Sequence, residues 1–243
     1  MQYLLRRKII ILLLCGAFAD PMGLSAQELQ VNLPDHDYKR IRFGINVGAN
    51  RAHYSFTHHP QFLQQDSILV IESLNSTGVN LAWLVNLNLS EHFDIRTFPL
   101  SLVFTEKAFQ YQMKYPSKPE GEDSLTTKKV QGITLAFPIQ LKFSSDRIAN
   151  FKVYMMAGGK VEYDMAANAG GRNAEALFKL KKLDYGIEAG IGFHLYFPVF
   201  VLTPELKIGW GLNNVHSRDK SLKFSNTIDK VNSRTISFSL TVE

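Results

Sequence analysis

Ten charged residues share one kind of position in the sequence pattern. Each stands in a segment where apolar residues alternate with small or polar ones, and each falls on the polar parity. Five are basic and five are acidic. Such a balanced set can pair its charges inside a protein, or it can line a path for protons or ions, and the equal numbers favour pairing. The set is Arg42, Asp94, Lys142, Lys152, Lys160, Glu162, Asp184, Glu188, Glu205 and Lys207.

The histidines give little sign of a metal site. His53, His58 and His59 are close in sequence, but no acidic or Cys partner stands at a spacing typical of metal ligands. His194 lies on the polar parity of its segment, and we interpret it as a hydrogen-bonded interior residue. We therefore expect no metal site and no cofactor.

Evidence for catalysis is equally weak. Ser55, His53 and Asp66 could be gathered into a hydrolytic site of the kind that some small barrels carry, yet no nucleophile elbow or paired-carboxylate motif supports this. Residues 158–160 read Gly-Gly-Lys but lack the spacing of a phosphate-binding loop. We predict that the protein is not an enzyme and has no catalytic residues.

The segments that carry the ten charges alternate with a period of two, which is typical of β-strands with two different faces. The third segment needs a bulge at Pro99, where the parity shifts by one. The alternation predicts eight strands. They are residues 41–49, 79–89, 93–109, 133–143, 151–165, 183–196, 202–213 and 236–242.

The connections between these strands alternate in length. Short ones predicted at 90–92, 144–150 and 197–199 are interleaved with long polar ones at 57–76, 110–129, 166–182 and 214–233. Short periplasmic turns and long surface loops are typical of an antiparallel up-and-down barrel in an outer membrane. We therefore predict an all-β, eight-stranded transmembrane β-barrel with a filled lumen.

A soluble β-sandwich would also alternate, but its polar face would be rich in Lys, Glu, Thr and Ser. Here that face carries many glycines, which suits the narrow interior of a small barrel. Aromatic residues near the strand ends predict two interfacial girdles. The periplasmic one comprises Phe93, Phe143, Phe151, Phe197 and Phe200, and the outer one Tyr54, Phe109, Tyr111, Tyr163 and Tyr185.

The N-terminus has the features of a secretory signal. A basic stretch at 6–8 precedes the apolar run 9–19, which is too short to span a bilayer, and residues 24–26 offer a cleavage site. Cys15, the one cysteine of the chain, lies in this run. We predict a cleaved signal peptide over residues 1–26.

Composition agrees with this organisation. The 243 residues are 45% hydrophobic with a mean hydropathy of −0.08, which argues against a polytopic helical membrane protein. Loss of the predicted signal peptide removes Arg6, Arg7, Lys8 and Asp20, so the net charge falls from +5 to +3 and gives no reason to expect nucleic acid as a partner. Residues 27–39 are predicted to form a periplasmic N-terminal segment and residues 40–243 the barrel domain.

Several landmarks, in order, resemble the PorT/SprT proteins of the type IX secretion system. They are Tyr-Lys-Arg-Ile-Arg-Phe-Gly at 38–44, Ala-Phe-Pro-Ile-Gln-Leu-Lys-Phe at 136–143, Gly-Gly-Lys at 158–160, Pro-Glu-Leu-Lys at 204–207, Gly-Leu-Asn-Asn at 211–214 and the segment 226–234. The resemblance extends over the whole predicted mature chain. It implies an outer-membrane barrel needed for export of cargo proteins, and for gliding motility where the organism glides.

Because eight strands leave no pore for a folded cargo protein, we expect an accessory, assembly or partner-docking role rather than the conduit itself. The expected partners are outer-membrane lipid and other secretion-system proteins. Two alternatives stay open, a stand-alone porin-like or adhesion barrel and a lipid-modifying barrel enzyme.

Overall fold

A computed structural model describes residues 30–58, 68–113, 125–166, 181–215 and 228–243. Within these ranges the chain forms nine antiparallel strands. The same ranges contain no helix long and apolar enough to cross a membrane. The strands are β1 (Ile41–His58), β2 (Ile68–Leu74), β3 (Ser76–Asn88), β4 (Phe93–Met113), β5 (Leu125–Ser144), β6 (Phe151–Asp164), β7 (Leu183–Tyr196), β8 (Val201–Gly211) and β9 (Ile228–Val242).

The strands close into a barrel. From β3 to β9 each strand pairs with the next along the chain, and β1 pairs with both β3 and β9, so no edge is left in the ring. Strand β2 is separated from β3 by Asn75 alone and pairs with the outer part of β4. It therefore prolongs β3, and the nine segments make an eight-stranded barrel, as the alternation predicted.

The two faces of the barrel are the reverse of those in a soluble protein. Outward-facing Ile187, Ile191 and Trp83 are 48%, 60% and 55% exposed, whereas inward-facing Gln140 and Lys142 are each 1% exposed. Large apolar side chains on the outside and polar ones within are expected when lipid surrounds the barrel. This arrangement excludes the soluble sandwich.

The parity shift in β4 occurs at Pro99, as predicted. Phe98 points inward and is 1% exposed, while Leu100 is 50% exposed on the outer face. Opposite these residues, Trp83 pairs with Leu100 and Val85 with Thr97, so β4 holds one residue more than β3. A proline, which has no N–H to donate, is tolerated at such a bulge.

Glycines allow the strands to approach closely on the inward face. A Cβ atom at Gly48 would lie 2.5 Å from the carbonyl oxygen of Phe238, and one at Gly158 would lie 2.1 Å from that of Ile139. Both distances are far inside van der Waals contact. Side chains at these positions would force neighbouring strands apart, so the glycines help set the small diameter of the barrel.

Several strands are longer than predicted. Strand β1 continues to His58, β4 to Met113, and β5 begins at Leu125, so the predicted long loops at 57–76 and 110–129 are partly paired. Outside a bilayer both faces of a strand can be polar, so backbone pairing continues there without the apolar alternation on which the prediction depended.

The periplasmic girdle is confirmed, since Phe93, Phe143, Phe151, Phe197 and Phe200 are all exposed near the short turns. In the outer girdle, Tyr163 and Tyr185 are exposed as predicted. The prediction for Tyr54 was wrong, because its even position in β1 turns it into the lumen, where it is 7% exposed. The side chains of Phe109 and Tyr111 lie outside the described residues.

Replacing Ile187 with Arg tests the lipid-facing surface. Ile187 lies near the middle of β7, so an Arg there should lower the free energy of unfolding by about 2–4 kcal/mol because its charge enters the bilayer core. Urea unfolding in lipid vesicles measures the change. The control is Val199→Arg in a short turn, where a cost of about 0–1 kcal/mol is expected; equal costs at the two positions would contradict the orientation.

Candidate functional site

The centre of the lumen is held by an ion pair between strands on opposite sides of the barrel. Arg96 of β4 donates from Nη2 to Oε1 of Glu205 of β8, and the two side chains are 2% and 0% exposed. Nη1 of Arg96 also lies 3.4 Å from the hydroxyl oxygen of Tyr154, and Thr241 donates to Glu205 at 3.2 Å. Lys207, one of the ten predicted charges, approaches Glu205 at 3.8 Å.

Arg96 was missing from the predicted set, although a signal for it was present. It stands on the inward parity between Asp94 and Phe98, just before the bulge at Pro99. Its guanidinium lies 5.2 Å from the centroid of the Phe98 ring, close enough for a cation–π contact. Arg96 is therefore both the charge partner of Glu205 and part of the packing of the lumen.

A second cluster lies nearer the short turns. Asp94 forms ion pairs with Arg42 at 3.0 Å and with Lys142 at 2.8 Å. Nζ of Lys142 is also 3.2 Å from Nε2 of His194, whose Nδ1 is 2.8 Å from the hydroxyl of Thr203. Since a lysine ammonium only donates, Nε2 must accept, which assigns the neutral tautomer with the proton on Nδ1. His194 is a hydrogen-bonded lumen residue, as interpreted from the sequence.

Of the remaining predicted charges, Lys152 lies near the short turns, and the others lie farther toward the long loops. Lys160 and Glu162 pair at 2.6 Å, Ser233 donates to Asp184 at 2.7 Å, and Glu188 accepts from Gln140. The structure places all ten on the inward parity. Arg42, Asp94, Lys142, Lys160, Asp184 and Glu205 are buried, and Lys152, Glu162, Glu188 and Lys207 are half-buried.

A segment before β1 closes the end of the barrel that bears the short turns. This segment, residues 32–38, is called the clasp here. The backbone N–H of Asn32 donates to Asn150 at 2.8 Å, and the Asn32 side chain donates to the carbonyl oxygen of Tyr196 at 3.0 Å. Arg147, in the turn between β5 and β6, donates to the carbonyl oxygens of Asn32 and Leu33. The clasp is thus tied both to the turn between β5 and β6 and to the end of β7.

Asp37 anchors the other end of the clasp. The hydroxyl of Tyr196 donates to it at 2.7 Å, and the cations of Arg42 and Arg147 lie 3.6 and 3.7 Å away. Burial by itself would raise the pKa of Asp37. Hydrogen bonds from His36 and Tyr196 and the charges of Lys152 and Arg42 outweigh that effect and hold the pKa well below its ordinary value.

The charge clusters and the clasp together obstruct the lumen. The two charge clusters fill the half of the lumen nearer the short turns, and the clasp covers its mouth. An eight-stranded barrel has an interior that side chains can fill completely. The described part of the barrel therefore offers no passage for a folded protein.

The residues considered for catalysis or metal binding are not brought together. His53 and Ser55 lie on the outward parity of β1, while Asp66, His59 and the side chain of His58 lie outside the described residues. Within the described ranges, no group of three or more His, Cys, Asp or Glu side chains could hold a metal ion.

Comparisons with known proteins match this architecture. Residues 25–217 match a family model described as an outer membrane protein beta-barrel domain. No curated protein matches the sequence.

Similar solved structures include three barrels with low sequence identity. Neisserial surface protein A is 11% identical, with 84% of this chain and 99% of that chain covered and a TM-score of 0.43. Ail of Yersinia pestis, in complex with the heparin analogue sucrose octasulfate, is 12% identical, with 84% and 99% covered and a TM-score of 0.39. OprG of Pseudomonas aeruginosa is 13% identical, with 82% and 95% covered and a TM-score of 0.38.

Removing one charge of the central pair should destabilise the barrel. Glu205→Gln keeps the shape of the side chain but leaves Arg96 buried without its counter-charge, so we expect a loss of about 3–5 kcal/mol in the free energy of unfolding. Urea unfolding in lipid vesicles measures it. The control Glu91→Gln, at an exposed turn, should change stability by less than about 0.5 kcal/mol, and a comparably small loss at Glu205 would refute the pairing.

The contribution of Asp37 in the clasp to the free energy of unfolding should depend on pH. Because the pKa of Asp37 is lowered on folding, its stabilising contribution is complete above the unfolded value of about 3.9 and is lost as pH falls through the lowered folded value. Asp37→Asn should therefore destabilise the protein at pH 7, and the deficit should shrink below about pH 4. Unfolding curves from pH 7 to 3 test this, with the exposed neighbour Asp35→Asn as control; a deficit independent of pH would oppose the assignment.

Proposed function

Because this chain belongs to the outer membrane protein beta-barrel domain family, we propose that it is a non-enzymatic accessory component of the type IX protein secretion system. In this role it assembles or docks other secretion proteins in the outer membrane and supports export of cargo proteins, and gliding motility where the organism glides. It is not the conduit.

The filled lumen carries this proposal. Arg96 and Glu205 cross the centre, the Asp94 cluster lies below them, and the clasp covers the mouth. A barrel closed in this way acts through its rims and its outer surface rather than through its interior. In this proposal the lumen charges have a structural role, because they neutralise one another and join strands on opposite sides of the barrel.

The secretion role is supported by the resemblance to the PorT/SprT proteins. The segment 38–44 leads from the clasp into β1, and segment 204–207 contains Glu205 of the central pair. Two of the landmarks that carry the resemblance are thus also parts of the closed lumen. The predicted leader 1–26 and segment 27–39 fit delivery of such a protein to the outer membrane.

The rim with the short turns offers surfaces for partner proteins. Tyr38 of the clasp, Ile148 of the turn between β5 and β6 and Val199 of the turn between β7 and β8 are 83%, 76% and 85% exposed. Apolar side chains exposed to this extent beyond the aromatic girdle are suited to contact with another protein. We assign the docking role to this periplasmic rim.

A stand-alone adhesion barrel is the second candidate. Strands β4 and β5 contain 21 and 20 residues against 11 in β8, and with β2 they form a three-stranded sheet at the end with the long loops. A sheet of this length projects from the outer surface and could contact another cell. The filled lumen argues against the porin-like form, and a lipid-modifying enzyme is the third candidate.

A deletion strain separates these candidates. We expect cargo proteins with a type IX sorting domain to fail to reach the cell surface, and the wild-type gene to restore them. Ile148→Asp combined with Val199→Asp should restore less export at equal barrel abundance, whereas Leu212→Asp, at the opposite end, should restore it fully.

Normal surface display of cargo in the deletion strain would refute the secretion role. Lost adherence with intact export would favour the adhesion barrel, and altered outer-membrane lipid would favour the enzyme.

A further inference from the structure

A cavity of about 100 Å³, lined by both polar and apolar side chains, lies in the half of the lumen nearer the long loops. Residues of all eight barrel strands line it, namely β1, β3, β4, β5, β6, β7, β8 and β9, so the ring of strands surrounds it on every side. Phe98 borders the cavity and also contacts Arg96, so the central ion pair lies just beyond it. The proposed secretion role makes no use of this cavity.

One wall carries a hydrogen-bond donor that has no acceptor. Asn80 donates to Asn46 at 3.1 Å, and Asn46 donates to Thr241 at 2.7 Å, so Asn46 is engaged at both ends, whereas Oδ1 of Asn80 accepts no hydrogen bond within the described part of the chain. The oxygen of Asn50 accepts from Thr105 at 2.7 Å, but its Nδ2 has no partner within the described part of the chain, although the residue is only 5% exposed. Buried N–H groups in folded proteins have acceptors, so an occupant with a free oxygen is expected here.

The opposite wall is charged but balanced. Lys160 and Glu162 of β6, Glu188 of β7 and Lys207 of β8 contribute two positive and two negative groups. A charged ligand would meet a like charge on this wall and would lose its hydration without a net counter-charge. A hydroxyl group fits both walls, because its oxygen can accept from Asn50 while its hydrogen donates to a carboxylate.

The volume limits the size of the ligand. A cavity of about 150 Å³ engineered in another protein holds benzene, so about 100 Å³ admits a molecule of no more than about six non-hydrogen atoms. We propose that this cavity is a binding site for a small neutral polyol of the size of glycerol. In the absence of the polyol, water fills the cavity.

Binding is tested with the full barrel in detergent micelles and glycerol as the probe. The side-chain amide resonance of Asn50 should shift in a saturable manner as glycerol is added, and Asn50→Leu should weaken binding at least tenfold. Glucose, with twice as many non-hydrogen atoms, should not bind, and neither should ammonium or acetate ions. The matched control Asn213→Leu, which changes a half-buried amide outside the cavity, should bind glycerol as the parent does.

Ala136→Leu is a second variant that fills the cavity without touching Asn50, so a failure of Asn50→Leu to fold leaves the test intact. Binding should be lost in this variant as well. Non-saturable shifts, or shifts unchanged by Ala136→Leu, would mean that the cavity holds water only and would overturn the proposal. Glucose binding as tightly as glycerol would overturn the size limit. None of these readouts depends on cargo export, so the proposed secretion role succeeds or fails separately.

Discussion

The interior of this protein is governed by the need to pair charge inside a closed barrel. Arg96 and Glu205 reach from opposite walls and meet at the centre, where neither is accessible to water. A buried ion without a partner is strongly destabilising, so each of these residues constrains the strand that carries the other. The pair therefore links β4 to β8, two strands that share no backbone hydrogen bonds.

The narrow diameter follows from backbone packing and makes this pairing possible. Where Gly48 and Gly158 face inward, a neighbouring carbonyl oxygen occupies the space that a side chain would need. Long side chains can then span the lumen from the positions between the glycines. The same alternation of small and long residues leaves one half of the interior filled by charged side chains and the other half with a cavity.

The clasp extends the polar network beyond the strands. Asp37 joins it to Arg42, which also pairs with Asp94, so the segment before β1 and the interior clusters are continuous. Arg147 fixes the clasp to the turn that follows β5, and Tyr196 fixes it to the end of β7. Closure of the mouth thus depends on side chains from the rim, whereas Tyr38, Ile148 and Val199 on the same rim stay exposed.

The sequence by itself determined the architecture, because a barrel surrounded by lipid imposes a period of two on every strand, and that period is visible without coordinates. It also predicted the bulge at Pro99 and ten of the inward-facing charges, although it missed Arg96. Strand ends were missed where polar pairing continues beyond the apolar alternation, as in β4 and β5. Only the tertiary structure decided which charges meet. The partnership of Arg96 with Glu205 and the closure of the mouth through Asp37 depend on the diameter of the ring and on contacts across it, and neither leaves a periodic signal along the chain.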